Sequence, residues 1–218
     1  MCYSANTSLF VFSVYMLTSA LLFVYPAKSN TPKILASFFM FVAVMQLFDY
    51  IFWTHQDMRD KNTANVNYIF TKTAMIWNHM QPIVLAILIL LYKARLTYAS
   101  QLIILYYTLF AIVYSIIAYN KITYTLAIDH ENNKVLYWEW NYIYMIYWIF
   151  YSLFLLTLVI LCYENFEYPI NIIACMICVL SFSLSGYYWK NTIWGRYWCK
   201  IVGFTPVIFL LAFHILST

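Results

Sequence analysis

Residues 34–54 read ILASFFMFVAVMQLFDYIFWT, and the fold class is already evident from this stretch. It is long enough to cross a bilayer as one helix, which takes about 20 mostly apolar residues. Asp49 is the single charged side chain within it. An ionisable group at lipid depth is costly and usually has a function or a buried partner. The stretch therefore predicts a membrane helix that carries a polar site.

Six further stretches share this length and this scarcity of charge. Of the 218 residues, 65% are hydrophobic and 9% are charged, whereas soluble domains carry about a quarter charged residues. We predict an all-α bundle of seven transmembrane helices that forms a single membrane domain over residues 1–218. The predicted spans are 8–26, 34–54, 73–92, 99–119, 141–162, 169–188 and 197–216. They leave no room for a second, soluble domain.

The loop between the fourth and fifth spans has a different pattern. Residues 122–128 and 134–140 are rich in β-branched and aromatic types, and residues 129–133 between them are of turn-forming types. This pattern predicts a small β-hairpin that caps the bundle. An irregular loop is the alternative.

Three side chains of the second span share one helical face, because Gln46, Asp49 and Trp53 stand at i, i+3 and i+7. With a rise of 1.5 Å per residue, Asp49 lies about 7 Å inside the end of its span. A carboxylate at that depth should be protonated, paired or hydrated by a cavity.

The third span offers polar neighbours at a similar depth, namely Asn78, His79 and Gln81 beside Pro82. Proline lacks an N–H and strains the turn before it, so a kink with a free carbonyl is expected. These groups and Asp49 predict a site for an ion or small molecule, open to one side of the membrane. The alternative is that they only bond the helices together, at about 0.6–2 kcal/mol per contact.

Three classes of function fit this pattern. The first is a transporter, channel or ligand-binding protein in which Asp49 binds a cation or a proton. The second is an intramembrane enzyme that acts on lipid, with Asp49 or His79 as the acid–base group and Cys2 or Cys199 as a nucleophile. The third is a structural or receptor-like protein whose polar cluster only fixes packing. The first is favoured, since the chain has neither a nucleophile elbow nor histidines paired at helical spacing.

Partners and orientation follow from charge and from cysteine placement. No basic cluster predicts nucleic-acid binding, and no metal or other cofactor is expected, so the predicted partners are the bilayer and an ion or small molecule. Cys2 and Cys199 fall on the side that bears the amino terminus. A disulfide between them would make that side exoplasmic, whereas free thiols are the alternative. The count of basic residues favours the opposite orientation.

Short motifs spread over nearly the whole chain also carry a family resemblance. They are Met1-Cys2-Tyr3-Ser4-Ala5 with Ser8, Met45-Gln46 with Asp49 and Trp53, Gln81-Pro82, Gly195, and Trp198-Cys199. Together they resemble an uncharacterised family of multi-pass membrane proteins of giant DNA viruses, algae and bacteria. The viral members carry Glu where this chain has Asp49, and a Trp is usual where it has Lys200. The resemblance implies residence in a host-cell or virion membrane and a viral origin, and it brings no established activity.

Overall fold

The computed structural model describes residues 4–130, 133–138, 140, 146–187 and 203–217. These ranges contain eight helices and one antiparallel pair of strands, and the predicted all-α class is confirmed. In chain order the elements are α1 Ala5–Phe23, α2 Thr31–Thr54, α3 Lys61–His79, α4 Gln81–Lys93, α5 Tyr98–Lys121, β1 Leu126–His130, β2 Asn133–Tyr137, α6 Ile146–Asn165, α7 Ile170–Tyr187 and α8 Thr205–Ser217.

The helices differ in their ability to cross a membrane. Four of them, α1, α2, α5 and α6, are long and apolar enough to do so. The helices α3 and α4 pass the same test only as a pair, which is bent by 52°. The apolar parts of α7 and α8 are shorter within the described residues. The described chain therefore holds four or five candidate spans, and the predicted count of seven is not confirmed.

Capping side chains and a proline mark the starts of four helices. The side chains of Ser4, Asp60 and Thr97 each accept a hydrogen bond from the backbone N–H three residues later, over 3.2, 2.9 and 3.3 Å. Such caps satisfy N–H groups that have no partner within the helix. Pro82 lies in the first turn of α4, where its missing N–H costs little. The break at Met80 between α3 and α4 confirms the predicted kink.

The predicted β-hairpin is confirmed. Its strands β1 and β2 pair from Leu126 with Tyr137 to His130 with Asn133. The strands are shorter than the apolar runs that predicted them, because the chain before Leu126 contacts α3 instead of pairing with β2.

Apolar side chains form both the interior and much of the exterior. On α5, Leu105, Leu109, Ile112 and Ile116 are 55, 57, 53 and 57% exposed. Their spacing of i, i+4, i+7 and i+11 places them on one outward helical face. A large exposed apolar face is expected of a helix that contacts lipid.

The connections group at two ends of the bundle. At one end the amide of Asn30, before α2, donates to the carbonyl of Tyr92 near the end of α4 over 3.1 Å. At the other end Gln56, after α2, donates to the carbonyl of Thr125, just before β1, over 3.3 Å. The connections before α2 and after α4 thus meet at one end, and those after α2 and before β1 meet at the other.

Candidate functional site

The predicted polar face of α2 lies inside the protein. Asp49 is 0% exposed and Gln46 is 5% exposed, and Trp53 is half-buried. The surrounding apolar residues of α2 pack with α3, the end of α5 and the hairpin region. The buried face therefore combines a carboxyl and an amide inside an otherwise apolar helix, as the sequence predicts.

The break between α3 and α4 brings two of the predicted polar residues together. The amide of Gln81 donates to the side-chain oxygen of Asn78 over 3.2 Å. The amide of Asn78 donates in turn to the hydroxyl of Tyr151 on α6, also over 3.2 Å. In the described chain these two amides thus bond to each other and to α6. Tyr151 was not identified from the sequence.

The third residue at the break, His79, is directed to α5. It is 2% exposed, and its Nδ1 lies 2.8 Å from the hydroxyl of Ser115. The ring of Phe150 packs edge-on against the imidazole with 4.6 Å between ring centres, and Tyr114 packs on it at 5.4 Å. Within the described residues Nε2 has no hydrogen-bond partner. The half-buried hydroxyl of Ser115 thus contacts the buried imidazole of His79, against which two aromatic rings pack.

An aromatic side chain of α3 joins that helix to α2. Trp77 stacks on Phe41 of α2 with 4.2 Å between ring centres, and its indole N–H donates to the Phe41 carbonyl over 2.8 Å. The bonds of Asn78, His79 and Gln81 run to α5, to α6 and to one another. A common site that joins them to Asp49 stays a prediction.

The cysteines divide into two groups. Cys2 and Cys199 lie outside the described residues, so their disulfide stays a prediction. Cys162, Cys175 and Cys178, on α6 and α7, are free thiols. Within the described ranges, no three His, Cys, Asp or Glu side chains form a group that could hold a metal ion.

A buried amide that sequence reasoning missed attaches the hairpin to the helices. Asn67 of α3 donates to the carbonyls of His55 and Thr125, over 2.7 and 3.0 Å, and accepts from the Thr125 N–H over 2.9 Å. Thr71, one turn later, bonds both Asn67 and Thr125. Asn67 and Thr71 stand at i and i+4 and so share one face of α3, and this pattern in the sequence could have indicated the network.

Lys72 of α3 lies just before the predicted third span, which starts at residue 73. In the structure Lys72 is 6% exposed and donates to the backbone carbonyls of Tyr119 and Ile122. Helix carboxyl ends carry unsatisfied carbonyls and partial negative charge. The end of α5 therefore attracts this side chain into the protein.

An ionic cluster at the opposite end was also missed. Glu167, between α6 and α7, accepts hydrogen bonds from Ser29 and from Thr31, the latter over 2.5 Å, and lies 3.6 Å from the Lys93 ammonium. Burial acts to raise the pKa of Glu167, but the two hydroxyl groups and the nearby positive charge outweigh it and hold that pKa below its ordinary value. The sequence feature that could have indicated this cluster is the presence of opposite charges, Lys93 and Glu167, just outside predicted spans.

The chain matches no protein-family model, no curated protein and no solved structure. The family resemblance carried by the short motifs therefore stays a prediction, and any function has to be argued from the residues themselves.

Proposed function

We propose that this protein crosses the membrane seven times and binds an ion or small molecule at the polar face of α2 around Asp49. The observation that carries this proposal is the complete burial of Asp49 within a helix that is long and apolar enough to span a bilayer. Gln46, one turn earlier and also buried, adds a donor and an acceptor on the same face.

A carboxylate inside the hydrocarbon region is expensive, and such residues usually serve ion pathways, proton relays or ligand contacts. The chemistry of a single acid beside an amide suits a monovalent cation or a proton better than an anion. The half-buried Trp53, one turn beyond Asp49, lies toward the hairpin end and would line the entry.

Ion flux through reconstituted protein tests this proposal. Proteoliposomes loaded with the pH-sensitive dye pyranine are given a sodium gradient or an acid pulse, and dye fluorescence reports proton movement. We expect flux in the wild type and its loss in Asp49→Asn, which keeps the side chain's size and removes its charge.

Asp57→Asn is the matched control, because Asp57 is exposed in the connection between α2 and α3. Its flux should equal that of the wild type. Equal flux in Asp49→Asn and the wild type would remove Asp49 from any transport mechanism. Lost stability of Asp49→Asn with unchanged flux per folded protein would favour the purely structural alternative.

We further propose an exoplasmic amino terminus with Cys2 and Cys199 paired, in a protein of viral origin residing in a host-cell or virion membrane. The count of basic residues favours the opposite orientation, so the presence or absence of the Cys2–Cys199 disulfide is the test of this proposal. Mass spectrometry of peptides prepared without reduction should detect the Cys2–Cys199 pair. Two free thiols in freshly isolated membranes would contradict this orientation.

A second candidate function rests on the 2.8 Å contact between His79 and Ser115. A hydroxyl next to an imidazole is the arrangement that activates a serine nucleophile. An intramembrane enzyme acting on lipid could use this pair if Phe150 moved to admit a substrate. A fluorophosphonate probe should then label the wild type and Ser13→Ala, an exposed control on α1, but not Ser115→Ala. Labelling of Ser115→Ala at the wild-type level would remove this candidate.

A further inference from the structure

A polar pocket of about 630 Å³ lies at the end of the bundle opposite the hairpin. It opens where α4 ends at Lys93, α5 begins at Tyr98 and α6 ends at Asn165. If these helices cross the membrane, this is the level at which hydrocarbon meets water. The lining residues are Lys93, Arg95, Leu96, Thr97, Glu164 and Asn165.

One charged residue of this pocket, Lys93, bonds to other residues of the protein. The Lys93 ammonium donates to the carbonyl of Asn165, lies 3.6 Å from the Glu167 carboxylate and stands over the Phe166 ring. Its charge is thus largely neutralised by groups beside the pocket. Lys93 therefore stabilises the pocket lining and is a weak candidate for binding a ligand.

The other two charged residues are available. Arg95 and Glu164 are both exposed, and within the described chain neither forms a salt bridge. Ala94, immediately before Arg95, has a φ of 62°, in the left-handed region, and ends α4 with its N–H on the Leu90 carbonyl. This turn carries Arg95 away from the helix axis and into the pocket lining. The pocket therefore presents one positive and one negative group that no salt bridge joins.

We propose that this pocket binds a zwitterion that carries a phosphate and a primary ammonium, as in the headgroup of phosphatidylethanolamine. The planar guanidinium of Arg95 suits a phosphate, to which it can donate two parallel hydrogen bonds. The carboxylate of Glu164 suits an ammonium with N–H donors. A choline group has no N–H to offer Glu164, and a purely anionic headgroup leaves that carboxylate beside a like charge.

The surroundings favour a lipid as the source of this headgroup. Leu91, on the last turn of α4, is 73% exposed, and Tyr98, at the start of α5, is 74% exposed. Leu91 precedes the lining residue Lys93 by two positions and Tyr98 directly follows the lining residue Thr97, so this end of the bundle offers exposed apolar surface to acyl chains. Free phosphoethanolamine has the same charged groups without the chains, so comparing it with the lipid distinguishes the two sources.

Native mass spectrometry of the purified full chain in a neutral detergent tests the proposal. Dioctanoyl phosphatidylethanolamine, phosphatidylglycerol and phosphatidylcholine are added separately, and the bound fraction of each is measured. We expect about a tenfold preference for the ethanolamine lipid, as one charge-assisted hydrogen bond would give. Equal binding of all three lipids would overturn the proposal. Free phosphoethanolamine that binds as tightly as the lipid would overturn the lipid as the source.

Two substitutions separate the roles of the charges. Arg95→Gln should weaken binding of all three lipids about tenfold, since each carries a phosphate. Glu164→Gln should remove the preference for the ethanolamine lipid over the glycerol lipid. Lys28→Gln is the matched control, because Lys28 is an exposed cation in the loop between α1 and α2 at the same end. A Lys28→Gln effect as large as that of Arg95→Gln would show a general charge effect and contradict the site.

Discussion

The hydroxyl of Tyr107 on α5 donates a hydrogen bond to the backbone carbonyl of His79 over 2.6 Å, where α3 ends. The carbonyls at a helix end lack donors within the helix, and the bend of 52° exposes this one to the neighbouring helix. Tyr107 is completely buried, so no water replaces it. The kink that Pro82 induces is thus stabilised from α5.

Tyr107→Phe should destabilise the protein by about 1–3 kcal/mol, because it leaves a buried carbonyl without a donor. The measurement is thermal unfolding in detergent. Tyr106→Phe is the control, since Tyr106 is 63% exposed. A drop in melting temperature of the same size in both variants would show that the hydrogen bond to His79 contributes nothing specific.

Lys72→Met should also destabilise the protein, by about 1–3 kcal/mol, because the carbonyls of Tyr119 and Ile122 lose a charged donor at the end of α5. Lys61→Met tests the same change at an exposed position in the first turn of α3 and should have little effect. Unfolding curves recorded side by side compare the two. Unchanged stability of Lys72→Met would mean that the desolvation penalty of the buried ammonium equals the stabilisation from its hydrogen bonds.

Asn67→Ala should release the hairpin from α3 while leaving the helices folded. The variant removes one group that holds both the N–H and the carbonyl of Thr125. Hydrogen exchange should accelerate at the amides of Thr125 and Ala127, and exchange within α5 should stay slow. Asn62→Ala, at an exposed position of the same helix, is the control. Unchanged protection of Thr125 would contradict this role.

Acid should destabilise the end of the bundle that contains Glu167. The folded-state pKa of Glu167 lies below its ordinary value of 4.5, so the folded state binds fewer protons than the unfolded state. Its contribution is therefore complete above about pH 4.5 and is lost as the pH falls through the lower, folded-state pKa. The melting temperature should fall over that range in the wild type.

The substitution Glu167→Gln should flatten this acid dependence. The matched control is Glu164→Gln, because Glu164 is exposed and forms no salt bridge among the described residues. Melting curves between pH 3 and pH 6 compare the three proteins. An unchanged slope in Glu167→Gln would assign the acid sensitivity to other carboxyl groups.

Features that depend on neighbouring residues were predictable. The apolar run of α2, the turn types of the hairpin and the effect of Pro82 all act within a few residues. Helix formation, turn formation and the strain that proline imposes are local effects, so a sequence pattern is sufficient to indicate them. The burial of Gln46 and Asp49 on one face follows from the same helical periodicity.

Contacts between distant parts of the chain were decided by the tertiary structure. Glu167 and Lys93, Asn67 and Thr125, and Lys72 and the end of α5 are each separated by dozens of residues. Their pairing depends on which helices pack together and on how far each extends, and no local pattern encodes either. Composition and helical periodicity are enough to indicate an apolar helical chain with a buried acid on α2. The packing of the helices buries Lys72, brings Asn78 to Tyr151 on α6, and places Arg95 and Glu164 in the lining of one pocket.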